Sequence, residues 1–188
     1  MIHVAVVGHA SRQRTAEALA ESLGAELFID HLTVGATWNH LRALNWADAR
    51  SGHVLVVEDD ALPVPGFLDL AGAWLEQHPD DLTSFYLGTS YPPNYQPQIA
   101  KAIEQAGDHI TLPTLIHAVA YALPCRQIAR LPLSVKKPAD YGLGAAWVRH
   151  TRRRPLYTVP SLVDHADGAS VENTGRRPLP RRAWRLHE

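Results

Sequence analysis

What the chain lacks narrows its class before any motif is read. It has one cysteine, Cys125, among 188 residues, which excludes an internal disulfide framework and any cysteine-cluster zinc site. A reducing, cytoplasmic setting is the expectation. No apolar run approaches the ~18–20 residues that a membrane span needs. The opening Met1-Ile2-His3-Val4 runs straight into apolar sequence without a basic leader, so no secretory signal is expected. Two phosphate-loop signatures are missing as well. The loop after Gly8 lacks the Gly-Lys-Ser/Thr ending of a Walker A motif, and no Gly-x-Gly-x-x-Gly dinucleotide fingerprint occurs.

What is present reads as one α/β domain. Hydrophobic residues make up 46% and charged residues 20%, an ordinary globular balance. Ile2–Val7, Leu27–Ile29, Val54–Val57, Ser84–Leu87, Ile116–Leu123 and Leu156–Val159 are short apolar, β-rich runs. Helical spacing recurs at 13–23, which Gly24 stops, at 37–49, at 66–77 and at 99–106. Residues 126–131 and 139–148 suit short helices or turns, and Tyr91–Pro97, with three prolines, is a loop. Such alternation predicts a mostly parallel sheet wrapped by helices, a Rossmann-like layout over residues 1–172. An Arg/Pro-rich tail, 173–188, follows.

Charge is uneven. The net −1 conceals nine Lys and Arg against fifteen acids in residues 1–148, then nine Arg against four acids in 149–188. The arginines Arg149, Arg152, Arg153 and Arg154, then Arg176, Arg177, Arg181, Arg182 and Arg185, form a solvated tail or a surface that meets phosphate or nucleic acid.

In parallel sheets, ligands sit beyond the carboxyl ends of the strands. Gly8, Asp30, Glu58-Asp59-Asp60 and Gly88 fall at such ends and are expected on one rim. Three consecutive acids after the apolar Val54–Val57 cannot all be buried unpaired. They are either a solvated turn before the 66–77 helix or a cation site. In an extended segment Glu58 and Asp60 share a side, and their oxygens suit Mg²⁺ or Mn²⁺.

Two families have related wording. The phrase VLVVEDDAL resembles response-regulator receiver domains, but those place the acids after the first strand and need another strand-end Asp some 40–45 residues later. Asp108, the nearest candidate, follows Glu104-Gln105-Ala106-Gly107, which is no buried strand. The second resemblance covers residues 2–172, to the GT-A glycosyltransferases of the family-25 kind, which include lipopolysaccharide and collagen galactosyltransferase relatives. It rests on Val6-Val7-Gly8…Arg12, Gly35…Asn39-His40…Trp46 and Val56-Val57-Glu58-Asp59-Asp60-Ala61. Later segments are His117–Pro124, Pro138-Ala139-Asp140-Tyr141 and Pro160–His165…Ser170. The chain departs from the family in the helix before the acids, where Thr37-Trp38-Asn39-His40 replaces a Cys and Ser-His pattern.

This resemblance implies a metal-dependent, inverting transferase that uses a nucleotide-sugar donor, UDP-sugar favoured. The acceptor would be a glycan, a protein or modified DNA. Glu58, Asp60 and His165 would hold Mn²⁺ or Mg²⁺, with Asp59 beside the donor and Gly8, Arg12 and Asp30 lining the nucleotide pocket. Asp140 would be the general base, or equally the N-cap of the following helix. A different class stays open, a nucleic-acid-binding or DNA-modification protein that docks through its arginine tail.

Overall fold

The β-branched runs extend and pair because their side chains fit a pleated, half-buried surface. In a computed structural model that describes residues 1–166 and 180–188, they build a seven-stranded sheet in the order β2-β1-β3-β7-β5-β8-β6. The strands are β1 (Ile2–His9), β2 (Glu26–Asp30), β3 (His53–Glu58), β5 (Thr83–Ser84), β6 (His109–Thr111), β7 (Ala120–Pro124) and β8 (Leu156–Thr158). β1, β2, β3, β5 and β8 run one way, while β7 and β6 run against them. The expected α/β architecture, a mostly parallel sheet flanked by helices, is what the chain adopts. A small second sheet pairs β4 (Ala61–Pro63) with β9 (Val163–His165).

Among the described residues five helices cover the sheet: α1 (Gln13–Leu23), α2 (Ala36–Ala47), α3 (Phe67–Gln77), α4 (Gln96–Glu104) and α5 (Ala139–Thr151). Gly24 closes α1 in the left-handed conformation, φ 58°, as the sequence predicts. Alternate residues of β1 and β3 feed two cores. Ala5, Val7, Val54 and Val56 pack with the Ala43, Leu44 and Trp147 of α2 and α5. Val6, Leu55 and Val57 face Ala16, Ala20, Phe67 and Ala71 of α1 and α3. No described helix is long and apolar enough to cross a membrane.

Two expectations change in detail. Over the helix expected at 37–49 the apolar Trp38 and Leu41 stay only partly buried, and the buried face is Asn39, His40, Ala43, Leu44 and Ala47. Asn39 Nδ2 donates to Gly8 O and Phe28 O at 3.1 and 2.8 Å, so an amide, not a hydrocarbon, fastens α2 to the ends of β1 and β2. Trp38 instead lies under the Arg42 guanidinium. The run expected as a strand over Ser84–Leu87 is extended only at Thr83–Ser84, because Ser84 Oγ donates to Tyr86 O and bends the chain. Ser170, Arg176 and Arg177 lie outside the described residues. Residues 181–187 return to the sheet's rim, with Trp184 N donating to Leu87 O and Ser161 N to Arg185 O.

Candidate functional site

Parallel pairing sets the rim. The registers Val7↔Glu58 and His9↔Asp30 bring the ends of β1, β2 and β3 together, so Gly8, Asp30 and the acidic triplet are neighbours, as expected. Gly8 is there for space. A Cβ on it would stand 2.8 Å from Ala16 Cβ and 3.1 Å from Asp59 Oδ2, too close for a side chain.

The triplet does not behave as an extended segment. β3 ends at Glu58 and the chain turns at Asp59-Asp60 before β4, so the i, i+2 alternation does not carry across. Glu58 stays on the α2 side, where Oε1 meets His40 Nε2 at 3.1 Å. The other ring nitrogen of His40 lies 3.1 Å from the Tyr121 hydroxyl. Burial works to raise the Glu58 pKa, but the His40 hydrogen bond and charge outweigh it and the carboxyl is held below its usual range.

Asp59 and Asp60 turn to the other side, where Arg12 waits. Its guanidinium contacts Asp59 Oδ1 at 2.8 Å and Asp60 Oδ2 at 2.6 Å. Asp59 is 2% exposed, and its Oδ2 accepts from His9 N at 2.8 Å. Burial nevertheless pushes its pKa up to about 6, against the His9 hydrogen bond and the Arg12 charge. Asp60 Oδ2 also lies 3.5 Å from His165 Nε2. Its other oxygen, Oδ1, is buried without a hydrogen-bond partner among the described residues.

His165 closes the cluster from β9. Its Nδ1 is 2.7 Å from Ala166 O, a carbonyl that can only accept, so the proton sits on Nδ1. Nε2 then offers its lone pair to Arg181 Nη1 at 3.1 Å. Two acceptors, Asp60 Oδ2 and His165 Nε2, thus converge, each supplied by an arginine. Arg12 and Arg181 provide the positive charge here that a divalent ion could provide instead. Glu58 stands apart from them: among the described residues, the group whose three ligand atoms lie within 4.8 Å of one another is elsewhere, at His78, Asp108 and His109.

The remaining predicted residues divide. Asp30 is 3% exposed, and its oxygens accept from Leu32 N, Val34 N and Gly35 N at 3.2, 3.1 and 2.7 Å. It orders the loop between β2 and α2. Burial opposes its ionisation, but these three bonds prevail and lower its pKa. Asp140, in the first turn of α5, accepts from Tyr141 N at 2.6 Å. Burial raises its pKa to about 6, and the Glu58 charge adds to that against the Tyr141 bond. It is not the N-cap that the spacing allowed: α5 begins at Ala139, its N-cap is Pro138, and no side chain caps it, so Asp140 lies one residue inside the helix and within electrostatic reach of Glu58.

Sequence reasoning missed three residues that the fold recruits here. His40 and Tyr121 buttress Glu58. His117, whose pKa burial lowers to about 4, packs edge-on against Tyr86 at 5.0 Å, with Nε2 2.8 Å from Tyr91 O. His40 and His117 lay in quoted segments, but only the two-faced packing of the sheet tells which of eleven histidines turn inward.

No protein-family model and no curated protein matches the chain. Among solved structures it is similar to A197 from STIV, with a TM-score of 0.56 and 11% identity over 98% of this chain and 95% of that one. At that identity the likeness establishes a shared fold and nothing finer.

Proposed function

We propose that the chain is a glycosyltransferase that uses a nucleotide-sugar, UDP-sugar favoured, with the donor diphosphate at the Arg12–Asp60–His165–Arg181 side of the rim. One observation carries the reading: among the described residues Asp60 Oδ1 is buried with no donor at the carboxyl end of a parallel strand. Leaving such an oxygen unsatisfied costs about 1–3 kcal/mol, and a cation or a ligand hydroxyl relieves that cost. The donor set supports Mn²⁺ or Mg²⁺, since Asp60 offers oxygen and His165 the unprotonated Nε2 that a metal ligand requires. Glu58 would join only after leaving His40. When bound, such an ion neutralises charge on a departing diphosphate.

The chain's own residues supply the rest. Arg12 and Arg181 present planar forks suited to phosphate oxygens. Gly8 leaves room for Ala16 and Asp59 to close against the end of β1. Asp140, with its pKa near 6, is ionised at neutral pH yet basic enough to take the proton of an acceptor hydroxyl, as inverting transfer requires. The acceptor class is a glycan, a protein side chain or modified DNA. The competing reading, docking on nucleic acid through the tail, draws on arginines of which Arg181 and Arg182 are directed to His165 and Asp164, so it gains no observation of its own.

The test is a thermal-shift panel of UDP-, GDP- and dTDP-sugars with and without Mn²⁺, run on the wild type and Asp60→Ala. A ligand that binds only the folded chain raises the melting temperature. One donor should do so in the wild type, more strongly with Mn²⁺, and fail in Asp60→Ala. A wild type unmoved by every sugar nucleotide overturns the proposal.

A further inference from the structure

A second polar cluster lies away from the rim, at the end of α3 and the edge of the sheet. His78 caps α3 at its C-terminus. Asp108 and His109 enter β6, the terminal strand of the sheet. The three each offer one ligand atom, all within 4.8 Å of one another. Tetrahedral Zn²⁺ draws nitrogen and oxygen donors to bond lengths of about 2.0–2.2 Å, a closure within the reach of side-chain rotation.

Several features hold these side chains ready. Both imidazoles lean on one indole: His78 stacks on Trp74 at 4.1 Å and His109 meets its edge at 5.8 Å. The two imidazoles face each other at 5.6 Å. Behind His78, Asp81 Oδ2 lies 4.0 Å from Nδ1, and Asp81 is itself anchored by Arg153 at 3.1 Å. At 4.0 Å Asp81 is in ion-pair range of the ring without a hydrogen bond to it, placed where a carboxylate that closes on a ligating imidazole would orient it. His109 Nδ1 and Asp108 Oδ1 are already 2.7 Å apart. All three groups are partly open to solvent, so an ion can enter.

We propose that His78, Asp108 and His109 bind Zn²⁺, or another borderline divalent ion of its class, and so fasten the end of α3 to the edge strand. The donor chemistry separates this site from the rim. Two imidazoles with one carboxylate select Zn²⁺, Co²⁺ or Ni²⁺, whereas Asp60 and its neighbours are oxygen-rich and suit Mn²⁺ or Mg²⁺. The consequence is structural. β6 pairs with β8 over only three residues, and a metal tie would hold this short edge against fraying.

The test titrates Zn²⁺, and separately Co²⁺ with its visible absorption, into chelator-treated full-length chain. One equivalent should bind. Zn²⁺ at a hundredfold over its Kd should raise the melting temperature by roughly 5–10 °C. His78→Asn and His109→Asn should each weaken binding by more than about tenfold, with far-ultraviolet circular dichroism confirming that they fold. Asp108→Asn, which keeps both rings on Trp74, should also weaken it, and Asp60→Ala should leave it intact. Failure of the wild type to bind Zn²⁺, or binding that survives the His78, His109 and Asp108 substitutions, overturns the site. Binding lost only in Asp60→Ala would assign the ion to the rim and overturn it equally.

Discussion

The chain carries two Asp-Asp doublets, each met by arginine, and they differ in almost everything but sequence. Asp59-Asp60 stands at the rim, 2% and 9% exposed, with Arg12 spanning both carboxylates. Asp80-Asp81 lies on the surface after α3, where Arg126 pairs with Asp80 and Arg153 reaches both acids. Water screens the second doublet, and its ion pairs are worth little. At the rim the two carboxylates are buried while Arg12 stays partly open, so each acid depends on its partner and each unpartnered atom matters. The same dipeptide is a largely solvated patch in one place and a buried, arginine-paired cluster in the other, because one follows a buried strand and the other a helix end at the surface.

The largest effect expected from this contrast is on activity. Asp140→Asn retains the Oδ1 that accepts from Tyr141 N, and removes a charge that burial and Glu58 disfavour. If the rim is a transfer site, turnover of the donor that the thermal-shift panel identifies should fall by about 10²–10⁴-fold, while stability at pH 8 stays level or rises. Both quantities are read on one preparation, by nucleoside-diphosphate release and by urea unfolding. Loss of stability without loss of turnover would make Asp140 a helix-start residue only.

Next in size is Arg12→Ala, which strands two buried carboxylates. Stability should fall by about 3 kcal/mol at pH 8. The cost is pH-dependent, and its sign follows from Asp59. Its folded pKa, about 6, lies above the ordinary aspartate value of 3.8, so the folded chain binds the proton more tightly than the unfolded one. Stability is therefore gained as pH falls through about 6 and is complete below about 4. Without Arg12 the Asp59 pKa rises further, so the variant's deficit should shrink between pH 8 and pH 5. Urea unfolding at the two pH values measures it, and an equal deficit at both would mean that Asp59 carries no charge cost at the rim.

Much of this was legible in the sequence, and the reasons are local. Short β-branched runs closed by Gly8, Asp30 and Glu58 announce strand ends, and parallel topology then gathers them on one side. α1 and its Gly24 stop follow from spacing and backbone freedom alone. What escaped depends on contacts across long stretches of chain. Arg12, expected to line a nucleotide pocket, pairs with acids 47 and 48 residues away. The pairing of β4 with β9 and the three residues of β6 are too short to leave a period. The turn at Asp59 sent Glu58 to His40 and Asp60 to His165, a division that strict alternation could not foresee. His78 and His109 meet only because α3 ends beside the sheet's edge.

The smallest expected effect lies at the exposed doublet. Asp80→Asn removes the partner of Arg126, with both side chains about half exposed, 49% and 55%. Two long or solvated groups give up side-chain freedom to pair and gain little Coulomb energy in water. The substitution should change stability by less than about 0.5 kcal/mol, and added salt should erase even that. Arg153 keeps its bond to Asp81, so the carboxylate behind His78 stays anchored and Zn²⁺ affinity should hold. A loss comparable to Arg12→Ala, measured by urea unfolding at low and high salt, would mean that the surface doublet is not screened as its exposure implies. The contrast between rim and edge would then rest on something other than burial.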